Sequence, residues 1–399
     1  MDALSWDEAR AAVYAAASPL PTVDLPLADA DGTALAGPLT TRTDIPAFDT
    51  SSVDGYAVRG AGPWRLAGRV LAGSVPGPVE DGTAVVLATG AMVPPGTDHV
   101  LRVENTTEKP VDGVTLVHGD IPPRRDWRDA GEEARIGEEL LPAGTVVTPG
   151  VVGLAASCGY DSLTVRRRPR AQLLVFGDEL LTAGLPRDGR IRDSLGPAVP
   201  SWLRRLGAEV VGPTAVTPVE DTLEAHIAAI EAAAARADVV VTTGGTMHGP
   251  VDHLHPALAA LGAEYVVDTV RVRPGFPMLV ARLPDGTWVT GLPGNPQSAT
   301  VAIVTLVMPL LAGLRGLPMP PTTRIRLGVD VPGRGDFTHL SLVRTGADGL
   351  AYPLAHAGSA MLRGVAAADG FAVVRPGQQA TAGSEAELAP LPLLAGERV

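Results

Sequence analysis

The sequence predicts a multidomain protein of mixed α/β and β class, with a central doubly wound α/β block standing between β-rich modules. Three observations carry that prediction. From Pro169 to Leu317, apolar strands alternate with helices, whereas the flanks hold short strands broken by Gly and Pro. The 46 glycines and 37 prolines, beside only 4% aromatics, point to many turns and to cores of Ala, Val and Leu. A chain of 399 residues has room for two to four domains, at roughly 100–200 residues each.

Taken in order, residues 5–17 read as a short helix started by Ser5, with Asp7 and Glu8 in its first turn. From about residue 45 to 130, short strands separated by Gly and Pro form a small all-β module. Residues 131–168 are β-rich and partly helical, ending in Arg166-Arg167-Arg168. The texture then changes. AQLLVF (171–176) is a continuous apolar strand, followed by a helix near 195–206, the strand AEVVGPTAV (208–216) and an alanine-rich helix near 220–236. The strand ADVVVTT (237–243), a helix near 252–261, strands near 264–272, 277–283 and 287–291, and the uncharged helix 297–314 complete the block. Strands apolar on both faces imply a parallel sheet covered on both sides. Pro318, Pro320 and Pro321 make a linker, and the short strands beyond it read as a small β-barrel or sandwich.

Composition excludes several functions. A formal net charge of −12 leaves no basic stripe for nucleic acid. Cys158 is the only cysteine, so an internal disulfide and a multi-thiolate metal site are excluded. Lys109 is the only lysine, so an oxyanion must be held by arginine, backbone N–H groups or helix N-termini. The N-terminus lacks the pattern of a signal peptide, and the uncharged stretch 297–314, which contains Pro309, reads as a buried core helix rather than a membrane span. The expectation is a cytoplasmic protein.

In an open α/β sheet, ligands bind beyond the carboxyl ends of the strands. Three loops lie there. Gly177-Asp178-Glu179-Leu180 carries two adjacent acids, which fit either a turn with exposed carboxylates or a metal-positioning pocket. Thr243-Gly244-Gly245-Thr246 lets the backbone approach a ligand, with Asp252 at the expected start of the next helix. Gly291-Leu292-Pro293-Gly294-Asn295-Pro296 opens the apolar helix; Asn295 and Pro296 fit helix-start grammar, and the preceding Pro-Gly leaves the N-terminus open to a phosphate. Arg273, just upstream, is a cation for that phosphate or a plain surface arginine. Outside the block, Phe48 to Val58 crowds carboxylates and hydroxyls around Asp54, which fits an Asx turn or a hard-cation loop suited to Mg²⁺. His248, His253 and His255 have poor spacing for zinc.

In this order, the segments resemble the molybdopterin molybdotransferase family, to which the C-terminal domain of gephyrin belongs. The resemblance runs through nearly the whole chain. It rests on Phe-Asp-x-Ser-x-x-Asp-Gly-Tyr-Ala at 48–57, Thr89-Gly90-Ala91, Gly131-Glu132, Arg167 to Arg170 and Gly177 to Leu180. Asp193-Ser194, Thr243 to Gly245, Gly291 to Pro296 and Ser359 continue it. It implies an elongated linker domain (1–44 plus 131–168), a small β domain (45–130), an α/β molybdopterin-binding domain (169–317) and a C-terminal β-barrel domain (318–399), in a homodimer. It implies Mg²⁺-dependent insertion of molybdate into adenylylated molybdopterin with release of AMP, after an upstream adenylyltransferase has supplied the substrate. The family's functional acids map onto Asp54, Glu179, Asp221 and Asp252, with Thr89 beside them and Glu133 where aspartate is usual. Asp54, Glu179 and Asp252 are the implied metal ligands. The implied substrate-binding residues are Asp193, Ser194, Gly244, Gly245, Arg273, Pro274, Gly275, Pro277, Pro293, Gly294, Asn295, Ser298 and Ser359.

The chain departs from the family where an oxyanion would sit. Lys-Pro-Gly-Lys-Pro becomes Arg273-Pro274-Gly275-Phe276-Pro277, an upstream lysine becomes Thr269, and an arginine becomes His339. The Val-Ser-Val after the paired glycines becomes Thr246-Met247-His248, and the acid that follows becomes Pro250. The carboxylates persist while the oxyanion cradle changes. Two alternatives therefore stay open at this point: a divergent paralogue that binds the pterin or a partner without turnover, and an enzyme handling a different oxyanion.

Overall fold

The computed structural model describes residues 2–213, 216–247 and 252–393. The chain divides into two compact units. One comprises residues 1–23, 32–36 and 166–399, the other residues 24–31 and 37–165.

The first helix, α1 (Trp6–Ala16), starts where the sequence places it. Ser5 Oγ accepts from the Glu8 N–H while Glu8 reaches back to the Ser5 N–H, a reciprocal capping box.

The smaller unit is organised by a six-stranded sheet. Its strands are β1 (Gly55–Val58), β2 (Trp64–Val70), β3 (Thr83–Leu87), β4 (His99–Arg102), β5 (Thr106–Val111) and β6 (Val114–Gly119), in the spatial order β4-β1-β3-β2-β6-β5. Alternating side chains fill its two faces. Tyr56, Val58, Trp64 and Leu101 pack on one side, and Ala57, Val70, Leu87 and Val100 on the other. Helix α2 (Pro149–Ser157), capped by Thr148, is the helical part expected within 131–168.

The larger unit contains the α/β block. Its sheet uses β7 (Arg170–Val175), β8 (Glu209–Val210), β9 (Val239–Thr243), β10 (Glu264–Val267), β12 (Leu279–Arg282) and β13 (Trp288–Leu292), in the order β8-β7-β9-β13-β12-β10. Helices α3 (Leu195–Arg205), α4 (Leu223–Ala234) and α5 (Leu254–Ala260) connect them. Strands β8, β7, β9 and β13 pair in parallel, as expected. The sheet is nevertheless mixed, because β12 runs antiparallel to both β13 and β10. The reason is the connection. Only Leu283 to Thr287 join β12 to β13, with Gly286 at φ +93°, and a tight turn has no room for the crossover that parallel pairing needs.

Two other expectations change. The strand expected at 208–216 is only two residues long, because Gly212 and Pro213 end the pairing; residues 214 and 215 lie outside the described residues. The strand expected at 264–272 is two strands. β10 stays in the α/β sheet, whereas β11 (Val272–Arg273) leaves it and pairs with a strand of the C-terminal β module.

The apolar helix α6 runs from Pro296 to Leu314 and is long and apolar enough, by length and composition, to cross a membrane, yet it is packed inside the protein, with nearly every residue buried. It is a core helix. Its middle, Ile303–Val307, widens into a π-turn, where the Met308 N–H reaches back to Ile303 and Pro309 offers no N–H at all. The Val304 carbonyl thus loses its helical donors, and the buried Arg10 guanidinium takes it at 2.6 Å.

After the proline linker come β14 (Thr323–Arg326), β15 (Thr338–Thr345), β16 (Ala351–Pro353), β17 (Gly370–Val374) and β18 (Glu385–Pro390). They form a sheet in the order β11-β15-β17-β18-β14, with β16 on β15. Strand β11 is thus the point where the α/β block delivers Arg273 to the C-terminal module, in register with His339 on β15.

Candidate active site

The carboxyl ends of β7, β9 and β13 carry the three motif loops, and the larger unit is hollowed there by two cavities with a common wall. The first, of about 630 Å³, is lined by Glu179, Asp193, Ser194 and Arg192, by Gly244, Gly245 and Asp252, and by Pro293, Gly294 and Asn295. The second, of about 750 Å³, is lined by Arg273, Pro274, Gly275, Phe276, Ser298, Arg334, Phe337, His339 and Ser359. Pro277, Pro293 and Asn295 face both.

The two differ in charge. Among the described residues three carboxylates line the first, whereas the second is lined by two arginines and a histidine and by no carboxylate.

Local constraints hold the acidic cavity open. Gly244 and Gly245 sit at φ +87° and +66°, and a Cβ on Gly244 would stand 2.9 Å from the Phe176 carbonyl oxygen. Only glycine allows β9 to turn there. The Asp178 N–H donates to Asp221 Oδ2 at 3.1 Å, so Asp221 supports the acidic loop from behind and is not among the residues lining either cavity. Glu179 and Asp252 do line the same cavity. Asp252 is not the helix cap expected of it, because α5 begins at Leu254 and His253 holds the cap position. Asp193 is committed to the fold, since its Oδ1 accepts from the Leu195 and Gly196 N–H groups, both at 2.9 Å, at the head of α3.

The expected phosphate cradle of open amides is not what the structure builds. Asn295 is the N-cap of α6 but makes no side-chain cap bond. The Gln297 and Ser298 N–H groups donate instead to the Ser359 carbonyl, at 3.0 and 3.3 Å, and Pro296 has no N–H to offer. Likewise the Gly244 N–H donates to the Leu292 carbonyl. The helix start and the first glycine are closed by backbone from elsewhere in the fold, and no local pattern announces that.

In the basic cavity, Arg273 lies over two aromatic rings, 4.5 Å from the centroid of Phe337 and 5.7 Å from that of Phe276. Phe276, where the resemblance expects a lysine, therefore supports the remaining guanidinium by cation–π attraction. His339 is buried, its Nδ1 donating to the Pro332 carbonyl at 2.7 Å, and burial holds the ring below the usual histidine value.

Sequence reasoning missed Arg334, Arg192 and His226. His226 is fully buried in α4, stacked 3.7 Å from the Phe176 ring and 3.6 Å from Asp221 Oδ1. Burial pushes its pKa down. The one available signal was a lone imidazole in an otherwise Ala- and Ile-rich stretch.

In the smaller unit, Asp54 Oδ1 accepts from the Thr89 N–H at 2.6 Å and from its hydroxyl at 3.0 Å, which holds the carboxyl below its usual range. Glu133 is exposed there. His248 and Pro250 lie outside the described residues. His255 is engaged with the Tyr265 hydroxyl at 2.8 Å.

Among the described residues no group of three or more His, Cys, Asp or Glu side chains is arranged to hold a metal by itself. Glu179 and Asp252, which line one cavity, fit a different mode, that of Mg²⁺ held by one or two carboxylates and completed by substrate phosphate oxygens.

Known protein families match most of the chain. The MoeA N-terminal region (domain I and II) matches residues 4–159, a probable molybdopterin binding domain residues 172–313, and the MoeA C-terminal region (domain IV) residues 324–391. A molybdopterin molybdenumtransferase of Staphylococcus aureus is 31% identical over 311 residues, covering 75% of this chain and 73% of the relative. Molybdopterin molybdenumtransferase 2 of Mycobacterium tuberculosis is 33% identical over 315 residues, covering 75% of this chain and 76% of the relative. The crystal structure of the molybdopterin biosynthesis MoeA protein from Pyrococcus horikosii superposes with a TM-score of 0.79 at 26% identity, covering 98% of this chain and 100% of that one. With the mixed α/β sheet, the flanking β modules and the motif loops all in place, the chain belongs to the MoeA family of molybdopterin molybdenumtransferases.

Proposed function

We propose that the chain is a molybdotransferase that takes adenylylated molybdopterin and molybdate, releases AMP with Mg²⁺ as cofactor, and leaves molybdenum on the pterin dithiolene. The observation that carries this reading is the pair of cavities of opposite character behind one wall. A substrate with a phosphoanhydride at one end and a receptor for an oxyanion at the other needs both environments side by side.

Electrostatics supports the metal. A diphosphate entering beside Glu179 and Asp252 meets like charge, and the first amides of α6 and the N–H of Gly244 are already engaged. A divalent cation between carboxylates and phosphates removes that repulsion. Glu179 and Asp252 would hold it, and when bound Mg²⁺ neutralises charge developing on the phosphoanhydride oxygens. The protein's own contribution is placement. Asp221 fixes the loop bearing Glu179, the paired glycines let the ligand approach the backbone, and Arg192 lines the same cleft as a fixed cation. In the neighbouring cavity Arg273 and Arg334 supply the charge for molybdate, so Phe276 and His339 do not leave it uncharged, which speaks for turnover over a binder without it.

The reading includes a homodimer working in the cytoplasm, supplied by an adenylyltransferase upstream. Purified protein given adenylylated molybdopterin should release AMP only when molybdate and Mg²⁺ are both present. Binding of the adenylylated pterin without AMP release under those conditions would rule the enzyme out, and sedimentation at the mass of one chain would rule the dimer out.

A further inference from the structure

The basic cavity holds two permanent cations and one conditional one. His339 stands on β15 in register with Arg273 of β11, and Arg334, from the loop leading into β15, lines the same space. On the other side β17 places Val374 opposite His339, and its neighbour Arg375 is turned away to Asp7 and Glu387, at 2.9 Å from each. Among the described residues no carboxylate lines the cavity. The ring is fixed in one tautomer, because Nδ1 donates to the Pro332 carbonyl, which leaves Nε2 as the nitrogen free to gain a proton. We propose that a tetrahedral dianion entering this cavity is bound with uptake of one proton from solvent by His339, whose Nε2–H then donates to the anion. The inference rests on the basic cavity being the oxyanion site, and it makes His339 the residue that favours a doubly charged ligand.

The physical reason is a reversal of environment. Burial, with Arg334 nearby, keeps the empty ring neutral near pH 7. An adjacent dianion favours the imidazolium and adds a charge-assisted hydrogen bond. Anion binding and protonation are then linked, and each strengthens the other. A permanent arginine would bind the anion without that linkage.

The test is calorimetric titration of the purified protein with sodium molybdate near pH 7, in two buffers of different ionisation enthalpy. The expected result is uptake of close to one proton per anion, with affinity falling by up to about tenfold per pH unit above neutrality. His339→Asn and His339→Gln should bind more weakly with no uptake, and His339→Arg should bind with little pH dependence. AMP offered instead of molybdate should give no uptake that depends on His339; if it does, the ligand is the substrate phosphate and the assignment is overturned. Wild-type binding without proton uptake, or uptake that persists in His339→Asn, overturns the role of His339 alone. No molybdate binding, or binding indifferent to Arg273→Ala, overturns the oxyanion site itself.

Discussion

The acidic cavity and its basic neighbour share a wall but not a construction. The acidic one is built largely on loops that follow three adjacent strands of one sheet, β7, β9 and β13, each a contiguous motif, with Arg192 to Leu195 and two residues of the C-terminal module, Ala360 and Leu362, completing it. The basic one exists because β11 leaves that sheet and pairs with β15 of the C-terminal module, bringing Arg273 to the same space as Arg334 and His339. The difference teaches where function is readable. Chemistry that sits on the ends of successive strands leaves a local signature, and chemistry made by long-range pairing does not.

The largest expected effect breaks the acidic side. Replacing Glu179 by Gln together with Asp252 by Asn should lower kcat for AMP release on the order of 10²-fold or more, measured in single-turnover assays, because both proposed Mg²⁺ carboxylates are lost. Unchanged kcat would remove the acidic cavity from the chemistry. Next, Arg273→Ala should raise KM for molybdate about 10- to 100-fold with a smaller change in kcat, the worth of one charge-assisted hydrogen bond. An effect on kcat alone would merge the roles of the two cavities.

The third concerns backbone shape. Gly244→Ala should destabilise the protein by about 1–3 kcal/mol in denaturant unfolding, since the residue sits at φ +87° against the Phe176 carbonyl.

The smallest effect concerns acid. His226 and His339 are both held neutral by burial, so their folded values lie below the ordinary one of about 6.5. The unfolded chain therefore binds more protons as the pH falls. Stability is complete above about pH 6.5 and declines below it, at no more than about 1.4 kcal/mol per pH unit for each ring. His226→Leu should flatten that decline, and an unaltered slope would contradict burial as its cause.

Much of this was legible in the sequence. Residues 131–168 read as mixed, α1 was announced by Ser5 and Glu8, and the α/β block by its alternation of strands and helices. Glu179 was visible as an acid at a strand end and Asp252 as an acid near an expected helix start, and both line one cavity. The rest was hidden for physical reasons. The antiparallel β12 depends on one short turn, and β11 changes sheets within a stretch that reads as a continuous strand. That Asp221 holds the Asp178 N–H and Asp193 the head of α3 was hidden, because both bonds depend on how the loops fold back. The amides of Gln297 and Ser298 looked open because the carbonyl that closes them belongs to Ser359, in a distant loop.

The division of labour between the two cavities is tested most directly by equilibrium binding of two ligands to two variants. Mg²⁺-dependent binding of AMP and binding of molybdate would be measured on Glu179→Gln and on Arg273→Ala. The account predicts a crossed pattern, in which Glu179→Gln weakens AMP binding and leaves molybdate within about twofold, while Arg273→Ala does the reverse, because Glu179 lines only the acidic cavity and Arg273 only the basic one. Loss of both ligands together in either variant would contradict it, and would mean that the two cavities act as one site.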